Sequence, residues 1–135
     1  MEIVKTNFPK IKRDCLETLQ INIGYKCNQA CSHCHVDAGP SRTEMMSDKI
    51  IKLIPKVIKA NNIKMLDITG GAPELHPKFK QLVTEVRGLN VEVMDRCNLT
   101  ILTEPGHENL AKFLASNKVQ ITASLPCYLE GNVDK

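Results

Sequence analysis

Apolar and polar positions alternate along this chain in a regular order. Four runs rich in apolar and β-branched residues, at 19–25, 65–69, 91–94 and 119–125, have the length and composition of strands. Between the strands, apolar residues recur at helical spacing, most clearly at Ile50, Leu53, Ile54, Val57 and Ile58. The order β-α-β-α-β-α-β predicts an α/β fold with parallel strands and helical crossovers.

Several residues predict where the helices begin. Ser47 is a plausible N-cap for the first helix, and Pro55 within it predicts a kink or a later start, because proline inside a helix costs about 3 kcal/mol. The second helix is predicted over residues 77–87, and the third begins at Pro105. The third strand could continue from 91–94 to Leu102.

The two ends of the chain bear on its domain organisation. Residues 1–18 are predicted to be an irregular lead-in, and residues 19–135 the N-terminal part of one core domain. The fourth strand is followed by a loop, 126–135, that leads to no further element. In a parallel sheet both faces are covered and the edge strands are protected from further pairing. We therefore expect this chain to be the N-terminal part of a longer βα barrel, truncated after the fourth strand. A complete domain with a short tail is the alternative.

Composition excludes several classes of function. Hydrophobic residues make up 42% and charged residues 24%, as in ordinary globular domains. A net charge of +3, spread along the chain, and five aromatic residues predict no nucleic-acid partner. No apolar run is long enough for a membrane span or a signal peptide, so we expect no membrane association and a cytoplasmic location. Six cysteines in such a reducing compartment predict metal ligands or free thiols.

Three cysteines, Cys27, Cys31 and Cys34, lie within eight residues directly after the first predicted strand. Thiolates select iron–sulfur clusters or zinc, and three ligands leave one metal position open. His33 or His35 could instead complete a Cys₃His zinc site. The cysteine motif therefore predicts an open metal centre, with a non-catalytic zinc-binding module as the alternative.

Glycine and polar residues follow the other strands, at the edge where parallel sheets bind ligands. Gly70 and Gly71 allow backbone to approach a ligand closely, and Glu74 follows in the same turn. Asn98 and Ser124 lie near the ends of the third and fourth strands. A tight turn and ordinary polar surface residues are the alternative interpretations.

Two further cysteines, Cys97 and Cys127, are predicted at the ends of the third and fourth strands, on the same edge as the cysteine motif. A soft thiolate there would suit a substrate that contains a soft element, so both are candidate catalytic residues. The alternative is that each is a buried thiol acting as a small hydrophobe. Cys15 is given no role.

The cysteine spacing, placed after a first strand, resembles the signature of the radical S-adenosylmethionine (SAM) enzymes. In that superfamily three cysteines hold a [4Fe–4S] cluster, and the amino and carboxylate groups of SAM chelate the fourth iron. The resemblance implies cluster ligands at Cys27, Cys31 and Cys34. It implies cofactor contacts at His33, Gly70, Gly71, Glu74, Asn98 and Ser124. Two positions depart from the pattern: Glu74 comes two residues late, and His33 replaces an aromatic residue.

Longer phrases resemble the arsenosugar biosynthesis radical SAM proteins, notably Cys-Asn-Gln-Ala-Cys at 27–31 and Ser-Leu-Pro-Cys-Tyr-Leu-Glu at 124–130. The resemblance implies a partial (βα)₆ TIM-like barrel and a cysteine-containing C-terminal domain beyond this sequence. It implies reductive cleavage of SAM to a 5′-deoxyadenosyl radical that adds to dimethylated trivalent arsenic. The implied partners are methylated arsenic and a one-electron reductant such as flavodoxin or ferredoxin. Peptide modification by the same machinery is the alternative. We expect the isolated chain to be weakly active or inactive, because an open barrel admits water to the radical.

Overall fold

The computed structural model describes residues 9–12 and 14–124 and contains one four-stranded parallel sheet. The strands lie side by side in chain order: β1 (Thr18–Asn22), β2 (Met65–Thr69), β3 (Glu92–Cys97) and β4 (Gln120–Ala123). Each neighbouring pair is parallel, which confirms the predicted α/β class with alternating strands and helices. Position 125 and Cys127, the second candidate catalytic cysteine, lie outside the described residues.

Helices connect these strands. They are α1 (Asp48–Ile51), α2 (Ile54–Ala60), α3 (Phe79–Gly88) and α4 (Leu110–Ser116), with short 3₁₀ helices at Pro73–Leu75 and Thr100–Thr103. Strands that follow one another in order, joined by right-handed crossovers, place their helices on the same face of the sheet. None of the described helices is long and apolar enough to cross a membrane.

The two faces of the sheet differ sharply. On the helix-covered face, Leu66, Ile68 and Val93 are fully buried, and α3 adds Phe79 and other apolar side chains to the same core. Burial of each such side chain contributes about 2 kcal/mol. The opposite face carries mostly polar residues at the alternate positions of the same strands, together with Met65 and Met94. We call this second surface the open face; its central residues are Gln20, Asp67 and Arg96.

Several predicted boundaries were wrong by a few residues. β1 ends at Asn22, because the chain then bends and Gly24 forms an antiparallel bridge with Met45. The interruption predicted at Pro55 is confirmed: the first helix is split in two, and Pro55 lies in the first turn of α2, where a helical amide makes no hydrogen bond within the helix. β3 ends at Cys97, well before Leu102.

The third predicted helix also begins later than expected. Pro105 does not open it; α4 starts at Leu110. Turns occupy the segment between them, where Gly106 adopts a φ of 85°, a conformation that favours glycine. The second helix begins at Phe79 and takes in Gly88, which the sequence placed just past its end.

Candidate cofactor site at the carboxyl ends of the strands

The cysteine motif belongs to a loop, residues 23–47, that leaves the carboxyl end of β1. The start of this loop continues the hydrogen bonding of the sheet: the Gly71 amide donates to the Gly24 carbonyl at 3.0 Å, and the Ala72 amide donates to the Lys26 carbonyl at 2.9 Å. The loop is therefore fixed against the glycine-rich turn after β2. Two parts of the sequence that carry separate motifs form one structural unit.

The glycines of that turn are required by this close contact. A Cβ atom on Gly70 would lie 2.7 Å from the Gly24 carbonyl oxygen, and one on Gly71 would lie 2.5 Å from the Lys26 carbonyl oxygen. Within the described part of the chain, the carbonyl groups of Gly70 and Gly71 accept no backbone hydrogen bond. Their predicted contact with the cofactor stays a prediction, and the packing against the loop is a second reason for glycine.

The three cysteines of the loop differ in exposure. Cys27 is buried, and Cys31 and Cys34 are partly exposed. Burial, and then the neighbouring Cys27 and Cys34 thiols, raise the pKa of Cys31. Holding all three as thiolates therefore requires a positively charged group among them.

The spacing of these sulfur atoms bears on which group fits. Sulfur atoms that share one tetrahedral zinc lie about 3.8 Å apart, given zinc–sulfur bonds of about 2.3 Å. The sulfur atoms of the three cysteines do not all lie within 4.8 Å of one another. His33 and His35 are exposed. This arrangement fits ligands to separate irons of a cluster better than the Cys₃His zinc site.

Amide donors surround two of the sulfur atoms. Cys27 Sγ accepts hydrogen bonds from the Gln29 amide and from Asn98 Nδ2, both at 3.5 Å, and Cys34 Sγ accepts from the Ala38 amide at 3.4 Å. Such donors favour the thiolate form, which is the form that binds iron. The donor set of the loop therefore fits an iron–sulfur cluster.

Asn98 links this loop to the end of β3. Besides its contact with Cys27, its Nδ2 donates to Asn28 Oδ1 at 2.8 Å, and its Oδ1 accepts from the Ile101 amide at 3.1 Å. Asn28 in turn donates to Thr100 Oγ1 at 2.8 Å. The predicted cofactor contact of Asn98 stays a prediction, and the structure gives the side chain a bracing role for the cysteine loop.

Arg42 contacts three other residues of the cysteine loop. Its guanidinium forms an ion pair with Glu44 at 2.8 Å and lies over the Tyr25 ring, 4.9 Å from the centroid. It also donates to the backbone carbonyl of Asp37, which has a φ of 50°. The hydrogen bond from Arg42 lowers the pKa of Glu44 to about 2, so this pair stays ionised at any ordinary pH.

An ion pair that the sequence did not reveal lies on the open face of the sheet. Both oxygens of Asp67 accept from Arg96, at 2.9 and 2.8 Å, and Gln20 adds a third hydrogen bond at 2.7 Å. The hydrogen bond from Arg96 is the main cause that lowers the pKa of Asp67. An acid in the middle of the apolar run 65–69 was the only signal in the sequence.

On the opposite side of the sheet, Cys97 lies with Glu74 and Asp95 in a buried cluster. Burial, and then Glu74, raise the pKa of the Cys97 thiol to about 12, while burial and Glu74 raise the pKa of Asp95 to about 8. This burial does not favour substrate contact by Cys97 or cofactor contact by Glu74, because the two side chains are only 1% and 7% exposed. Sequence reasoning missed Asp95, which lies in the same strand as Cys97.

His76 is a second buried residue that the sequence did not single out. Its Nδ1 accepts from the Lys78 amide at 3.0 Å, so Nε2 carries the hydrogen and donates to the Met46 carbonyl at 2.9 Å. The side chain thereby joins the start of α3 to the end of the cysteine loop. Ser124, predicted to contact the cofactor, is exposed at the carboxyl end of β4, and that contact stays a prediction.

Comparison with known families agrees with this geometry. The Radical SAM superfamily model matches residues 21–127, which is most of the chain. The chain belongs to the radical SAM superfamily. Members of this superfamily bind a [4Fe–4S] cluster and SAM, so the cofactors expected from the cysteine motif are confirmed at the level of the family.

Two individual proteins are similar to part of this radical SAM chain. A probable GTP 3′,8-cyclase of Saccharolobus islandicus is 36% identical over 74 residues, covering 55% of this chain and 23% of that protein. A probable GTP 3′,8-cyclase of Sulfurisphaera tokodaii is 26% identical over 77 residues, covering 57% of this chain and 25% of that protein. The matched stretch thus spans about a quarter of each relative. The arsenosugar-specific family is not shown by these comparisons.

Proposed function

We propose that Cys27, Cys31 and Cys34 bind a [4Fe–4S] cluster and that this chain is the SAM-binding part of a radical enzyme. The observation that carries the proposal is the cysteine loop itself: three thiols whose sulfur atoms do not all lie within 4.8 Å of one another, with amide donors on Cys27 and Cys34. When bound, the cluster supplies the electron that cleaves SAM to methionine and a 5′-deoxyadenosyl radical.

The chain's own residues would position SAM at the same edge. The carbonyl groups of Gly70 and Gly71 would accept hydrogen bonds from the ammonium group of SAM, and the support is that neither accepts a backbone hydrogen bond from the described residues. Ser124 offers a hydroxyl at the end of β4, and His33 is exposed beside the third cysteine. These contacts are proposals that rest on location at the carboxyl ends of parallel strands.

For the substrate, we propose dimethylated trivalent arsenic, which the radical would adenosylate. The support is the resemblance of the phrases at 27–31 and 124–130 to arsenosugar biosynthesis proteins. Cyclisation of GTP is the second candidate, because the 36% identical relative carries that name. Since about three quarters of that relative has no counterpart in the match, its substrate is only a candidate for this chain.

Anaerobic reconstitution with iron and sulfide, followed by reduction and EPR, tests the cofactors. A reduced [4Fe–4S] signal that changes when SAM is added would support the proposal. Cys31→Ala should lose the signal, and Cys15→Ser should keep it, because Cys15 precedes β1, outside the loop, and is exposed. A folded protein that binds zinc but gives no cluster signal would overturn the proposal.

The substrate is tested separately by mass spectrometry of products. The reconstituted chain is incubated with SAM, a reductant and either dimethylated arsenite or GTP. An adenosylated arsenic product supports the first candidate, and a cyclised nucleotide supports the second. Turnover should be low in either case, because the four described strands form an open sheet, which admits water to the radical.

A further inference from the structure

Three ligand-type side chains meet in the interior of the protein, away from the cysteine loop motif. One ligand atom from each of Glu74, Asp95 and Cys97 lies within 4.8 Å of the other two. Glu74 is 7% exposed, Cys97 1% and Asp95 0%. We call these residues the buried triad. Glu74 comes from the 3₁₀ helix Pro73–Leu75, and the other two come from β3.

The carboxylate oxygens of the buried triad lack partners. Both oxygens of Glu74 and both oxygens of Asp95 are buried and make no hydrogen bond within the described part of the chain. An unpaired buried carboxylate costs several kcal/mol. The fold brings two carboxyl groups together, and a raised pKa of Asp95 leaves one of them protonated at neutral pH, so the cost of the remaining charge and of the unpartnered oxygens still has to be offset.

A shared proton is an incomplete answer. One proton between two carboxyl groups forms a single O–H···O hydrogen bond, which partners two oxygens and leaves the other two with none. A divalent cation offsets both negative charges at once and can contact an oxygen from each group. The Cys97 sulfur then supplies a third ligand at the same point.

We propose that Glu74, Asp95 and Cys97 bind a divalent metal ion of the zinc class, in a site separate from the cysteine loop. Zinc accepts a cysteine sulfur together with carboxylate oxygens at bond lengths of about 2.0–2.3 Å. In a tetrahedral site these atoms lie about 3.5 Å apart, so the triad needs to contract by about 1 Å at most. The Leu99 amide donates to Cys97 Sγ at 3.3 Å, which favours the thiolate that zinc requires.

The ion would have a structural role. It would join the 3₁₀ helix Pro73–Leu75, which follows the glycine turn, to the end of β3, next to Asn98. Binding would displace the thiol proton of Cys97 and the carboxyl proton that Asp95 holds at neutral pH, both to solvent, and leave the site with one net negative charge. The site would thus fix the two elements that hold the cysteine loop without itself contacting SAM.

Cobalt(II) is the probe for the test, because cobalt–thiolate binding gives a near-ultraviolet charge-transfer band. The chain is titrated in a background in which Cys27, Cys31 and Cys34 are alanine, so that the loop cannot bind the ion. One cobalt per chain with a thiolate band is expected, with zinc displacing it and raising the melting temperature. Cys97→Ser should abolish the band, and the matched control Cys15→Ser should retain it.

The carboxylates provide the second measurement. Asp95→Asn and Glu74→Gln should weaken binding by roughly tenfold or more. Each should also raise the melting temperature of the metal-free chain, because it replaces one of two facing buried carboxyl groups by an amide that can donate a hydrogen bond to the other. If the alanine background fails to fold, the native chain with its cluster reconstituted is assayed for one additional zinc that Cys97→Ser loses. Absence of a thiolate band, a band that survives Cys97→Ser, or unchanged affinity in both carboxylate variants would overturn the proposal.

Discussion

The Asn98 side chain donates a hydrogen bond to the sulfur of Cys27 at 3.5 Å, across 71 positions of sequence. The contact joins the end of β3 to the first cysteine of the loop. Amide–sulfur bonds of this kind hold a ligand in orientation and stabilise its negative charge. The geometry of the proposed cluster ligands, which follow β1, therefore depends on a residue that follows β3, two strands away in the sheet.

Asn98→Ala should make the cluster harder to reduce, which lowers the EPR signal of the reduced protein. The variant should also lose its iron more readily. The substitution removes the donor to Cys27 and the bonds to Asn28 and Ile101, with a cost of about 1–2 kcal/mol in stability. Iron content and the EPR signal after reconstitution measure the effect. Asn61→Ala, which removes a single exposed contact to the Val57 carbonyl, is the control; equal iron retention in both variants would contradict the prediction.

Gly71→Ala should destabilise the protein by about 2 kcal/mol, because the new Cβ would meet the Lys26 and Tyr25 carbonyl oxygens at 2.5 and 2.9 Å. Urea unfolding measures the change. Gly88→Ala is the matched control: its Cβ meets nothing within 4 Å and it lies at the end of α3, so stability should rise by about 0.5 kcal/mol. If both substitutions had the same effect, the close approach to the loop would not be the cause.

Asp67→Asn should remove a part of the stability that depends on pH. Because Arg96 lowers the folded-state pKa of Asp67 below its ordinary value of 3.8, the pair stabilises the fold above that pH and loses this contribution as the pH falls through the lowered value. The loss on substitution at neutral pH should be about 1 kcal/mol, since the Arg96 side chain is 46% exposed.

Urea unfolding at neutral and acidic pH checks this expectation. The gap between the native chain and Asp67→Asn should be largest at neutral pH and should narrow on acidification. Asp48→Asn serves as the comparison, because Asp48 pairs with Lys78 at 3.8 Å on the surface and should contribute less than about 0.5 kcal/mol. A gap that does not change with pH would count against the ion pair.

His76→Ala should cost about 2 kcal/mol, because it leaves the Lys78 amide and the Met46 carbonyl without their partners in a buried position. Thermal unfolding of the variant measures the loss. His35→Ala, at an exposed position in the cysteine loop, should leave the melting temperature unchanged. Equal melting temperatures for the two variants would show that His76 does not join the loop to α3.

Much of the architecture could be predicted from the sequence. The bounds of β2 were predicted to the residue, 65–69, because the apolar residues of this strand stand on both sides of Asp67 and Gly70 and Gly71 mark its end. Helix starts were less accurate. Pro105 carries a start signal, but the turn around Gly106 delays α4 to Leu110.

The sequence by itself determined the order of strands and helices, the family and the three thiols of the cysteine loop, because these depend on local pattern and short spacing. Tertiary structure alone decided the roles of two similar acids. Asp67 and Asp95 each lie inside a strand, and their register puts Asp67 on the open face with Arg96 and Asp95 on the helix face with Glu74. Side chains of a strand alternate between faces, so the partner of each acid is fixed only once the strands pair.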